Sequence, residues 1–93
     1  MITLVVKINV HPKYLYDFVD ATKTLARRTL STERQCRAYT VNKDPNNEDV
    51  VILVEMYDNQ EAIDFHKTTE HFLEWKETVK DMGQRTSTRY EEF

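Results

Sequence analysis

The sequence predicts an α+β fold: a four-stranded antiparallel sheet with its helices on one face, the ferredoxin-like arrangement. Three observations predict it. Strand periodicity recurs in four stretches, helical periodicity fills the gaps after the first and third, and the order is strand, helix, strand, strand, broken helix, strand. With 93 residues the chain can bury one core and not two, so residues 1–93 are read as a single domain.

Each element follows from its own pattern. From Ile2 to Val10, Ile2, Leu4, Val6, Ile8 and Val10 share one face, and Thr3, Val5, Lys7 and Asn9 share the other. His11-Pro12 ends that strand, and proline suits a first helical turn. Leu15, Phe18, Val19, Thr22, Leu25, Ala26 and Thr29 then recur at helical spacing, which predicts a helix over Pro12–Leu30. Gln35–Lys43 reads as a second strand, with Cys36, Ala38 and Thr40 on one face and Arg37, Tyr39 and Val41 on the other. Asp44-Pro45-Asn46-Asn47 carries turn chemistry and predicts a hairpin.

The third strand, Asp49–Tyr57, is apolar on both faces through Val50-Val51-Ile52-Leu53-Val54. Asp58 and Glu61 have capping-box spacing for a short helix carrying Ala62, Ile63, Phe65 and His66. Thr68 or Thr69 then caps a second run striped by Phe72, Trp75, Val79 and Met82. Gly83, the only glycine, is expected to end it as a left-handed C′ residue. Arg85–Phe93 alternates as a last strand. Helices cover only one face of such a sheet, so the second apolar face of the third strand implies a homodimer stacked sheet to sheet.

Composition narrows the function. A net charge of −3 with no basic stripe argues against nucleic acid. No apolar run approaches the ~20 residues of a membrane span, and the start reads directly as strand, so membrane and secretion are disfavoured. One cysteine, Cys36, suits a reducing cytoplasm and excludes a multi-cysteine zinc or iron–sulfur centre within one chain. A single glycine leaves no phosphate-cradling or dinucleotide loop, so no nucleotide or flavin cofactor is expected.

The candidate chemistry lies on a few side chains. Glu55 interrupts the apolar face of Val51, Leu53 and Tyr57, where a desolvated carboxylate can act as general base or acid. The competing reading is a structural ion pair with Arg37 or a histidine. His66 and His71 flank the helix break and could move protons in a pocket between helices and sheet, or simply bond to backbone there. With Glu55 they would make a facial triad, yet their five-residue spacing across a break is not that of one helix face, and no metal is expected. Tyr39, Phe65, Phe72 and Trp75 are candidate walls for a planar substrate, although Phe72 and Trp75 also have the spacing of plain core. Asn9 is a weaker candidate on the minority-polar face, and Cys36 reads as a small buried hydrophobe.

Val54-Glu55-Met56-Tyr57-Asp58, Glu61-Ala62 and His66-Lys67-Thr68-Thr69-Glu70-His71-Phe72 resemble the antibiotic-biosynthesis-monooxygenase family over essentially the whole chain. Thr3-Leu4-Val5, Ile8-Asn9-Val10-His11 and the histidine run are most similar to its autoinducer-2-processing isomerase branch. Glu33-Arg34-Gln35-Cys36 lacks the family's glycine in the turn before the second strand. Leu25-Ala26 stand where the isomerase branch has Asn-His. The resemblance implies a dimeric α+β barrel and an enzyme that works without metal or flavin. It points to a cytoplasmic, cofactor-independent monooxygenase of a small oxygenated or aromatic molecule. An isomerase of a small phosphorylated diketone, or a non-catalytic small-molecule-binding protein, are the alternatives. Glu55, His66 and His71 are the expected catalytic residues.

Overall fold

A computed structural model describes residues 1–93. Its elements are β1 (Ile2–Val10), a 3-10 turn (Pro12–Tyr14), α1 (Leu15–Thr32), β2 (Cys36–Asp44), β3 (Asn47–Tyr57), α2 (Gln60–His66), α3 (Glu70–Val79) and β4 (Gly83–Glu91). All strand pairs are antiparallel and the sheet order is β2-β3-β1-β4, the expected ferredoxin-like α+β architecture. No helix is long and apolar enough to cross a membrane.

The core lies between the helices and one sheet face. Val6, Ile8, Val51 and Leu53 meet Phe18 and Leu25 of α1, Ile63 of α2 and Trp75 of α3 in one buried cluster. Period-two alternation aims the strand residues and helical spacing aims the others. On the opposite face Val5, Ile52, Val54 and Met56 are half-buried with no helix over them.

Local chemistry moved several boundaries. In β2, Cys36 faces Tyr57 and Ala38 faces Met56, so Arg37 is an extra residue without a partner. This bulge shifts the alternation and puts Cys36 on the same side as Tyr39, contrary to the expectation from strict alternation. It also frees Arg37 to bond both oxygens of Asp58, at 2.6 and 2.9 Å. With Asp58 so engaged, Asn59 caps α2 instead, accepting from the Ala62 N–H at 2.9 Å. Of the two threonines considered for α3, Thr69 is the cap; its hydroxyl accepts from the Phe72 N–H and donates to the His66 carbonyl.

Gly83 is not a left-handed cap, since no glycine has positive φ. It opens β4 opposite Val10, where an added Cβ would lie 2.3 Å from the Asn9 carbonyl oxygen and 2.9 Å from the Val10 Cα. The glycine is needed for close strand approach. Both neighbours are backbone, so Gly83→Ala should destabilise by about 3 kcal/mol, at the upper end of overpacking costs. A urea denaturation midpoint within error of the wild type would refute this account of the glycine.

Candidate functional site

The inner sheet face and helices α2 and α3 enclose a cavity of about 410 Å³. Leu4, Val6, Leu53, Ile63, Phe72 and Trp75 supply its apolar wall. Tyr39, Glu55 and His66 are its buried polar groups, and Gln60, Lys67, Arg85, Ser87 and Arg89 complete it.

Glu55 is only 6% exposed. Its neighbour on the same face, Tyr57, donates its hydroxyl to Oε1 at 2.6 Å. Tyr39 pairs with Glu55 across β2 and β3 and turns its hydroxyl to the same carboxylate. Burial raises the Glu55 pKa, while the two tyrosine hydroxyls and the Arg85 charge hold it back. The phenols of Tyr39 and Tyr57 are themselves pushed well up by burial and by Glu55, so both remain hydrogen-bond donors. The local alternation that exposed Glu55 as an oddity also placed Tyr57 beside it, which was the signal for that partner.

His66 does not pair with Glu55. Its Nδ1 lies 2.9 and 3.0 Å from the two oxygens of Glu33, and its ring packs edge-on to Phe72 at 5.0 Å and near Tyr57 at 5.5 Å. An Nδ1–H donated to Glu33 leaves Nε2 as the basic nitrogen of a ring that lines the cavity. Burial lowers the His66 pKa and outweighs the opposing pull of Glu33.

His71 Nε2 is 2.5 Å from Glu33 Oε2. Its ring lines a separate outer groove with Arg28 and Glu74 and does not line the cavity. The three ligand atoms of Glu33, His66 and His71 lie within 4.8 Å of one another, and this is the group of side chains that could share a cation. The carboxylate beside the histidines is therefore Glu33 and not Glu55. Here both histidines are hydrogen-bonded to Glu33.

Other expected residues divide. Tyr39, Phe72 and Trp75 reach the cavity. Trp75 is also core: its Nε1 donates to Thr22 Oγ1 at 3.0 Å, and Thr22 donates to the Phe18 carbonyl. Phe65 is 59% exposed in a groove with Glu33, Cys36 and Arg37, because α2 turns Ala62, Ile63 and His66 inward and leaves Phe65 outside. Asn9 is exposed on the far face, where the odd-numbered residues of β1 point. Cys36 is buried, and burial pushes its thiol up to about 12, which leaves it inert as a nucleophile. Glu33 was the residue hardest to foresee; its only signal was its place in the turn motif Glu33-Arg34-Gln35-Cys36.

This fold, with a cavity between its sheet and helices, is that of a small ferredoxin-like α+β protein. Residues 1–78 match the family profile described as antibiotic biosynthesis monooxygenase, and the chain belongs to that family. Among solved structures, a candidate antibiotic biosynthesis monooxygenase from Nitrosomonas europaea superposes with TM-score 0.94 at 22% identity, over 100% of this chain and 99% of that one. A candidate from Caulobacter crescentus CB15 gives 0.94 at 20%, over 99% and 89%. A Bacteroides thetaiotaomicron VPI-5482 protein of unknown function, suggested as an oxidoreductase, gives 0.92 at 24%, over 98% and 96%. Such identities speak to the fold. Among curated proteins, none matches this chain in sequence.

The His66 environment predicts a pH dependence. A histidine that is harder to protonate when folded binds fewer protons in the native state, so its contribution to stability is lost as pH falls below the ordinary 6.5. Glu55 acts with the opposite sign: its raised pKa favours the folded state below the ordinary 4.5, and that advantage fades as pH rises. Comparing wild type with His66→Gln isolates the histidine. Between about pH 7.5 and about pH 5.5 the urea midpoint of the wild type should fall further than that of the variant. Equal falls would show that His66 does not carry the effect.

Proposed function

We propose that this protein is a cofactor-independent oxygenase of small planar hydroxylated or enolic molecules. One observation carries the reading. A mostly apolar cavity brings a buried carboxylate held protonated more readily than usual and a histidine with a free basic nitrogen to one substrate-sized space.

In this reading the apolar wall holds the substrate, and His66 Nε2 takes a proton from its hydroxyl or activated carbon. Glu33 is the positioning residue that fixes the His66 tautomer and favours the imidazolium once it forms. The resulting electron-rich anion gives its electrons to dioxygen, forming a carbon–peroxide bond. The peroxide takes that first proton back from His66, which then removes the remaining C–H proton as the C=O bond forms and the O–O bond breaks. The Glu55 carboxyl, with Tyr57 behind it, protonates the departing hydroxide to water and is reprotonated from the His66 imidazolium. The balance is CH₂ + O₂ → C=O + H₂O, so dioxygen is the only oxidant. A second reading, isomerisation of a small phosphorylated diketone, is favoured by the cations Lys67, Arg85 and Arg89 at the cavity. The same acid and base could shift a proton between carbons, and no oxygen would be consumed.

The working form in this proposal is a cytoplasmic homodimer. Val5, Ile52, Val54 and Met56 make an apolar sheet face that no helix covers, and a second copy is the simplest cover for it. A free buried cysteine fits a reducing compartment.

Two measurements test these proposals. Glu55→Gln keeps the shape and the hydrogen bonds but removes the titrating proton. It should leave the fold intact and lower oxygen uptake with a quinol or enol panel by about 10²–10⁴-fold. Unchanged uptake would remove Glu55 from the chemistry, and no uptake by the wild type on any such compound would remove the oxygenase. Val54→Lys should convert a dimer seen by light scattering into monomer, because a charge at the centre of that face must be desolvated to pair. A wild-type monomer at micromolar concentration would overturn the dimer.

A further inference from the structure

We propose that the substrate carries a carboxylate and that Arg85 is the residue that binds it, an inference that rests on the reading of this cavity as the substrate site. β4 turns alternate residues toward the helices, and those reaching the cavity are Arg85, Ser87 and Arg89. Lys67 meets the same space from the helix break. Three cations therefore surround a cavity that contains one carboxylate, Glu55, which is already engaged by Tyr57.

Two of these cations are unspent. Neither Arg85 nor Lys67 makes an ion pair anywhere in the chain. Arg89 is tied to Gln60 and to Glu91. The Arg85 guanidinium lies 5.2 Å from the centroid of the Trp75 ring. The ring draws the charge toward its face, and the N–H groups, in no ion pair, are available to a ligand in the cavity. The platform beneath it is fixed, because Trp75 is buried and its Nε1 is bonded to Thr22.

A planar N–H edge matches a carboxylate, which accepts two parallel hydrogen bonds from it. A phosphate monoester fits less well. It brings nearly two charges and three acceptor oxygens, while the second guanidinium within reach is already occupied by Gln60 and Glu91 and Lys67 adds a point charge and no second fork. The rest of the ligand meets Leu4, Val6, Leu53 and Phe72, an apolar wall suited to a flat ring. A space of about 410 Å³ fits one or two fused rings. The substrate class is thus a small hydroxylated aromatic or enolic carboxylic acid, anchored at Arg85 with its reacting end toward Glu55 and His66.

Isothermal titration with matched, unreactive probes tests this directly. 2-Naphthoate, which lacks the reacting hydroxyl, should bind about tenfold or more tighter than 2-naphthamide, the order of one charge-assisted pair. The gap should narrow as salt is raised. Arg85→Gln should bring acid and amide to within about twofold of one another with the amide affinity kept, and Arg85→Lys should retain part of the preference. Arg85 is exposed and on an outer strand, so the variant should fold, and an unchanged denaturation midpoint checks this. Equal affinities for acid and amide, an acid preference that survives Arg85→Gln, tighter binding of 2-naphthyl phosphate, or no binding of any probe would each overturn the proposal. Acid-selective binding without oxygen uptake on any hydroxylated acid would leave Arg85 its role and remove the oxygenase.

Discussion

One carboxylate joins all three helices. Glu33 follows the last turn of α1, where its N–H bonds the Thr29 carbonyl, and its side chain reaches His66 at the end of α2 and His71 in the first turn of α3. A charge with a side-chain exposure of 4% is costly unless it is partnered, and here both oxygens are engaged by imidazole nitrogens. The arrangement is worth more as a constraint than as a source of stability. Breaking it from one side would leave a buried charge or a buried ring without its partner, so the helix ends are held in one relative placement. The cavity exists because of that placement, since its helical wall is made by Ile63 and His66 before the break and Phe72 and Trp75 after it.

The two buried glutamates stand in different surroundings. Glu33 faces two imidazole nitrogens, one from His66 and one from His71. Glu55 faces two phenols and an apolar wall, with a guanidinium as its nearest cationic influence, and burial dominates its titration. In the function proposed above, the first of these carboxylates orients His66 and the second carries the proton. The lowered affinity of His66 for a proton complements this, because a neutral imidazole oriented through Nδ1 is ready to accept at its other nitrogen.

What the sequence made legible was whatever depends on residues two to four positions apart. The alternation of β1, the double apolar face of β3, the stripe of α3 and the anomaly of Glu55 are all local patterns, and each appears in the structure where the spacing put it. What it concealed depends on partners far away in the chain. Glu33 is 33 residues from His66 and 38 from His71, and nothing near it announces that it is buried. Gly83 had a plausible local explanation as a helix cap, while its actual neighbour is the Asn9 carbonyl on another strand. The bulge at Arg37 broke a two-residue rule for the sake of a bidentate bond to Asp58, and the same bond displaced the α2 cap by one residue. The alternation of the last strand does not say which way Arg85, Ser87 and Arg89 face; the register with β1 turns them toward the cavity.

The period of two in β3 finally separates two jobs that so small a domain must combine. Leu53, Glu55 and Tyr57 point to the helices and make the floor and the polar heart of the inner face. Ile52, Val54 and Met56 point the other way, to the face without helices. A strand with one buried face could not do both, which is why this stretch lacks the polar alternation of an ordinary antiparallel strand. The cavity lies on the helix side of the sheet and the uncovered apolar face on the other. In the dimer proposed above, covering the outer face would stiffen the strand that carries Glu55, and a carboxylate proposed to meet a substrate within hydrogen-bond distance benefits from a support that does not move.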